Sequence, residues 1–109
     1  TGNGNANGPF VYTGFKPAFV MVKRIDTAGY HWRMHDSTRD PFNVSDKRLT
    51  ANSSDAEVSG SSNYHLDILS NGFKWRTNFQ TNVNSGTYIY MAFAEHPFVT
   101  STGIPTTAR

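Results

Sequence analysis

His31, Arg33 and His35 occupy alternate positions in a short run that otherwise holds Tyr30, Trp32 and Met34. Alternation is the period of a β-strand, so one face of this run is aromatic and apolar and the other is basic. The apolar side is expected to face inward and the three basic side chains outward, toward solvent or a ligand. His31 and His35 then lie about 13 Å apart by the rise per residue, too far to share one metal ion on an unbent strand. Lys74 and Arg76 alternate in the same way within Phe73 to Thr77. If the two strands were neighbours, His31, Arg33, His35, Lys74 and Arg76 would form a basic patch suited to an acidic glycan.

Oxygen ligands are densest in Asp36-Ser-Thr-Arg-Asp-Pro-Phe-Asn43. Asp36, Asp40 and Asn43, with Asp46 beyond them, could offer hard ligands to Ca²⁺, but their spacing is not that of a calcium loop. Asp36 and Asp40 flank Arg39, and short polar side chains readily bond to nearby backbone N–H groups, so a hydrogen-bonded turn is the expected role. Asp36, Asp67 and Glu95 could act as acids or bases, yet nothing in the spacing sets a pair at a hydrolytic separation. Serine and histidine are plentiful, but no nucleophile elbow is present. The chain has no cysteine, which excludes disulfides, thiolate metal sites and thiol nucleophiles. The expectation is a protein that catalyses no reaction and holds no cofactor or structural metal.

Short strands joined by tight turns must position these groups, because Gly, Asn, Ser and Thr are abundant and no amphipathic helical stretch occurs. Strands are expected over Pro9 to Thr13, Ala18 to Ile25, Tyr30 to Asp36, Tyr64 to Leu69, Phe73 to Thr77 and Thr87 to Glu95, with a shorter one near Lys47 to Thr50. Asp26-Thr-Ala-Gly29 and Ser70-Asn71-Gly72 read as hairpin turns. Ser37 to Ser62 is otherwise a long polar loop. The last strand has two apolar faces, so it is expected in the centre of the fold, covered on both sides and stopped by Pro97, which has no N–H to donate. Alternation assigns Trp32, Met34, Phe73, Trp75, Ile89, Met91 and Phe93 to the core. The resulting architecture is a single all-β domain, an antiparallel β-sandwich or jelly-roll-like fold over 9–99. Residues 1–8 read as a flexible N-terminal arm or linker and 100–109 as a C-terminal tail.

A chain of 109 residues is one domain with room for a modest core. Its formal net charge is +2, and the basic residues are scattered among aromatics, amides and carboxylates. No nucleic-acid footprint follows from that distribution. No apolar run approaches the roughly 20 residues of a membrane helix, so insertion in a membrane is not expected. The chain opens on Thr1, as a part of a longer protein would.

The closing strand, "GTYIYMAFAEHPF", resembles the end of a short domain found repeatedly in tail-fibre and other structural proteins of marine bacteriophages. The resemblance extends through "NGPFVYTGFKPAFVMVKR", "HDSTRDPFN", "LSNGFKWRT" and "VNSGTYIYMAFAE". It implies a non-enzymatic structural or adhesion module of a virion, extracellular and set in a tail fibre. The module would contact a host surface glycan, other virion proteins or copies of itself, the last as a homotrimer. Two further readings stand beside it: a lectin-like carbohydrate-binding module of a secreted bacterial protein, and a self-assembling capsid-decoration or surface-fibre protein.

Overall fold

The computed structural model describes residues 1–96 and Thr102. Pro97 as the stop of the last strand, the boundary at 99 and the rest of the 100–109 tail lie outside the described residues. The strands are β1 (Phe10–Tyr12), β2 (Pro17–Arg24), β3 (Arg33–Asp36), β4 (Leu49–Thr50), β5 (Leu66–Leu69), β6 (Gly72–Trp75) and β7 (Tyr88–Ala94). The helical content among the described residues is one 3-10 turn, Ser62–Tyr64. Two antiparallel sheets form, one in the order β1-β6-β5 and one in the order β4-β3-β2-β7. The protein is therefore an all-β sandwich.

The β5–β6 hairpin closes with Leu69 opposite Gly72, so Ser70 and Asn71 make the turn and Gly72 already belongs to the strand. Glycine is required there because β1 crosses close by: a Cβ on Gly72 would sit 2.1 Å from the Val11 carbonyl oxygen. β6 alternates cleanly, with Phe73 and Trp75 inward and Lys74 outward opposite Asp67. Leu66, Ile68, Phe73 and Trp75 of this sheet meet Val20 and Val22 of the other in the core, flanked by Val11, Tyr88 and Ala92. Edge-to-face ring pairs span the two sheets, Phe73 with Tyr90 at 5.3 Å and Trp75 with His35 at 5.8 Å.

Two expectations are corrected by the four-stranded sheet. Among the described residues β7 is an edge strand, hydrogen-bonded to β2 alone, and not a central one. Its residues Ile89, Met91 and Phe93 are 44%, 47% and 57% exposed, outside the core to which alternation assigned them. The face of β3 is also reversed. His35 pairs with Val20 and Arg33 with Val22, and residues directly opposite in a sheet share a face. Burying Val20 and Val22 therefore carries His35 and Arg33 inward, while Trp32 and Met34 are left half-buried. Phe73 and Trp75, at 1% and 3% exposure, are core residues as expected.

The N-terminal segment 1–8 is fastened to the domain, contrary to its reading as a flexible arm. Gly2 donates to the Gly86 carbonyl at 2.8 Å, Gly4 to Asn82 at 2.9 Å and Gly8 to Trp75 at 3.0 Å. The clasp is the side chain of Asn82, which is fully buried. Its Nδ2 donates to Asn3 Oδ1 at 2.8 Å, Asn5 O at 2.9 Å and Thr77 O at 2.8 Å, and its Oδ1 accepts from Asn3 N at 2.9 Å. Composition suggested a linker because small polar residues bury little apolar surface; here hydrogen bonds from one amide replace that burial. Asn82→Ala leaves the buried Thr77 carbonyl without this partner, at about 1–3 kcal/mol, and frees the Asn3 and Asn5 contacts to water. The expected result is a lower denaturation midpoint together with proteolytic cleavage within the first eight residues, a cut that the parent protein resists.

Candidate functional site

The outer face of the four-stranded sheet is apolar across its strands. Ile89, Met91 and Phe93 stand in a row on β7, and their cross-strand partners on β2 are Lys23, Met21 and Phe19. Met34 lies opposite Met21, and Leu49 opposite Met34, so the apolar band runs from β7 through β2 and β3 to β4. Phe19 and Phe93 pack ring against ring with centroids 5.9 Å apart. Charged groups border the band. Lys23 turns its ammonium to the Arg24 carbonyl at 2.8 Å, and Lys16 pairs with Glu95 at 2.7 Å. A continuous apolar face with a polar margin is the signature of a surface that another molecule covers. The same region includes the β7 edge, whose outward N–H and C=O groups have no strand beside them among the described residues.

The inner side of the same sheet carries a cluster of cations. Arg33 and Arg48 are 7% and 8% exposed, and each donates through Nη1 to Thr50 Oγ1 at 2.7 Å. Arg33 Nη2 also donates to Gln80 Oε1 at 2.7 Å. The Tyr64 ring lies beneath both guanidiniums, 4.0 Å from that of Arg48 and 5.3 Å from that of Arg33. Among the described residues neither arginine is within ion-pair range of a carboxylate. Sharing one hydroxyl acceptor brings the two positive charges close, and like charges repel. Burial, and next the field of Arg48, push the pKa of Arg33 below its usual value. His35 lies near this cluster, fully buried, with Nδ1 3.3 Å from Ser45 Oγ and, among the described residues, no partner for Nε2. Burial, followed by the charges of Arg39 and Arg48, lowers its pKa to about 4, so it is neutral at pH 7.

The basic patch expected from the sequence does not form. His31 is exposed and bonded to Asn52 at 3.0 Å, while Arg33 and His35 point into the sandwich. Lys74 and Arg76 belong to the other sheet region, where Arg76 approaches Asp67 at 3.6 Å. Most carboxylate and amide oxygens of the acidic segment are already engaged. Asp36 Oδ1 accepts from Thr38 N and Arg39 N at 3.1 and 2.8 Å, and its other oxygen pairs with Arg39, which also reaches Glu57. Asp40 Oδ2 accepts from the backbones of Asp46 and Lys47 at 2.7 and 3.1 Å. The amide of Asn43 pairs with the Ile68 backbone in both directions, at 2.9 and 2.8 Å, and so acts as a surrogate strand residue. Asp36, Asp40 and Asn43 thus build the turn and hold it to β5.

Sequence reasoning missed Arg48, Tyr64 and Gln80. Arg48 fell in the short strand expected near Lys47 to Thr50 and Tyr64 at the start of the next expected strand, with nothing local to mark their faces; Gln80 fell in an unassigned segment, and no local period marks residues that meet only through tertiary folding. The one legible signal was a cation on a strand bordered by valine-rich β2, which fixes the face only once the pairing is known. Residues 1–97 match a family model described as a domain of unknown function (DUF7483). No curated protein and no solved structure matches the chain.

Proposed function

The chain belongs to the DUF7483 family, and as no activity comes with that membership we propose that it is a non-enzymatic structural or adhesion module of a phage virion. The uncovered apolar face of Phe19, Met21, Ile89, Met91 and Phe93 is the observation that carries this reading. Such a face on a small domain gains by packing against copies of itself or another virion protein. The resemblance to phage tail-fibre domains favours three copies about a common axis and a place at the particle surface. In that arrangement the loops at the ends of the sandwich remain free for a host surface glycan.

The test is the native mass of the protein and of a Met91→Asp, Phe93→Asp double variant. The parent is expected to form a discrete multimer and the variant a folded monomer. Substitutions at half-exposed positions leave the core of Phe73, Trp75 and Val20 untouched. A parent that stays monomeric at high concentration and hydrolyses a polysaccharide on its own would overturn the proposal.

A further inference from the structure

We infer that Arg33 and Arg48 form a binding site for an oxyanion, a carboxylate or sulfate group, at the β4 end of the sandwich interior. Buried charges in proteins are paired or coordinated, yet these two converge on the neutral hydroxyl of Thr50. Their other contacts are the Gln80 amide oxygen and the face of Tyr64, also neutral. Arg48 Nε has no hydrogen-bond partner among the described residues, although the residue is more than nine-tenths buried. A guanidinium with an unused Nε edge presents the fork that a planar carboxylate or a sulfate accepts in bidentate fashion. Thr50 holds the Nη1 atoms of both arginines, which aligns the second cation on the same anion. The carboxylate whose field reaches Arg33 is that of Asp55, in an exposed loop and beyond ion-pair range.

An oxyanion here neutralises one of two adjacent positive charges and supplies the missing acceptor for Arg48 Nε. Chloride supplies charge but a single acceptor centre in place of two oxygens matched to the parallel N–H bonds of the fork, and a neutral sugar supplies acceptors without charge. The site therefore discriminates for oxyanions, borne either by a free inorganic ion or by a uronic or sulfated sugar. It lies on the opposite side of the sheet from the apolar face, so it stands whether or not that face mediates assembly.

The arginine Nε–H resonances of the ¹⁵N-labelled protein report the site directly. Sodium sulfate is titrated against sodium chloride at matched ionic strength. The Arg48 and Arg33 signals are expected to shift saturably with sulfate, while those of Arg24 and Arg39, already paired with Asp26, Asp36 and Glu57, stay in place. Sulfate should also raise the melting temperature of the parent, a rise that Arg48→Gln loses. Shifts that are linear in sulfate, or equal for all arginines, overturn the inference even if Arg48→Gln fails to fold, since that readout needs only the parent protein. Oligogalacturonate in a parallel titration separates the sources. Tighter saturation than with sulfate assigns the anion to a polysaccharide and weaker saturation to a free ion, and either result supports the site.

Discussion

Phe73→Ala is expected to cost about 3–5 kcal/mol, a large fraction of the stability of a domain this size. Phe73 is 1% exposed, touches Trp75 and Tyr90 edge to face at 6.3 and 5.3 Å, and closes the space between the sheets opposite Val20 and Val22. β1 cannot move in to fill the void, because Gly72 already lets it approach as near as its backbone permits. The informative control is Phe93→Ala, the same chemical change on the outer face. At 57% exposure it should cost less than about 1 kcal/mol in the monomer. Chemical denaturation of both variants measures the difference. Equal losses would mean that the outer face is covered in the folded monomer and that the sandwich interior is misassigned.

Stability should also fall with acid well above the range where carboxylates titrate, and His35 is the reason. Its pKa is 6.5 in an unfolded chain and about 4 in the fold, where burial first, then Arg39 and Arg48, oppose the charged form; Asp40 and Asp36 only partly offset them. Above pH 6.5 both states are neutral and the group contributes no pH dependence. As pH falls below 6.5 the unfolded chain takes up a proton that the native state refuses, so unfolding becomes more favourable until the folded group itself titrates near pH 4. The total effect is about 3 kcal/mol, from 1.36 kcal/mol for each pKa unit. Denaturant midpoints measured from pH 7 to pH 4 should decline through this window, and His35→Gln should flatten the decline. A variant that keeps the full slope would locate the titrating group elsewhere. Asp36, whose hydrogen bonds from Arg39 outweigh its burial and hold its pKa below the usual value, adds its loss only at still lower pH.

Strand positions and the sandwich class were legible in the sequence because both follow from local rules. Alternation and β-branched or aromatic residues mark a strand, and Asp-Thr-Ala-Gly and Ser-Asn-Gly mark its ends. The inward side of β6 was legible as well, because its other face carries Lys74 opposite Asp67 and cannot be buried cheaply. For β2, β3 and β7 the same reasoning failed. Phe19 and Met21 are as apolar as Val20 and Val22, and Ile89, Met91 and Phe93 more so than Tyr88, Tyr90 and Ala92. When both faces of a strand satisfy the burial rule, alternation supplies a period without a direction. The direction came from pairing: three strands in register must bury one common face, and the one that fits against Phe73 and Trp75 is that of Val20 and Val22, with Arg33 and His35 in tow.

By itself, then, the sequence determined the all-β class, most strand locations, the burial of Phe73 and Trp75 and the structural use of Asp36, Asp40 and Asn43. These follow from composition or from neighbours within a few residues, except that Asn43 does its structural work on Ile68, 25 positions away. Tertiary structure alone decided which side of the four-stranded sheet meets solvent, that segment 1–8 is clasped by Asn82, and that Arg33, Arg48, Thr50, Tyr64 and Gln80 converge. The bonds that gather these groups join residues 17, 47 and 79 positions apart. Contacts at such separations are set by how sheets stack, a property of the whole chain that no local pattern encodes.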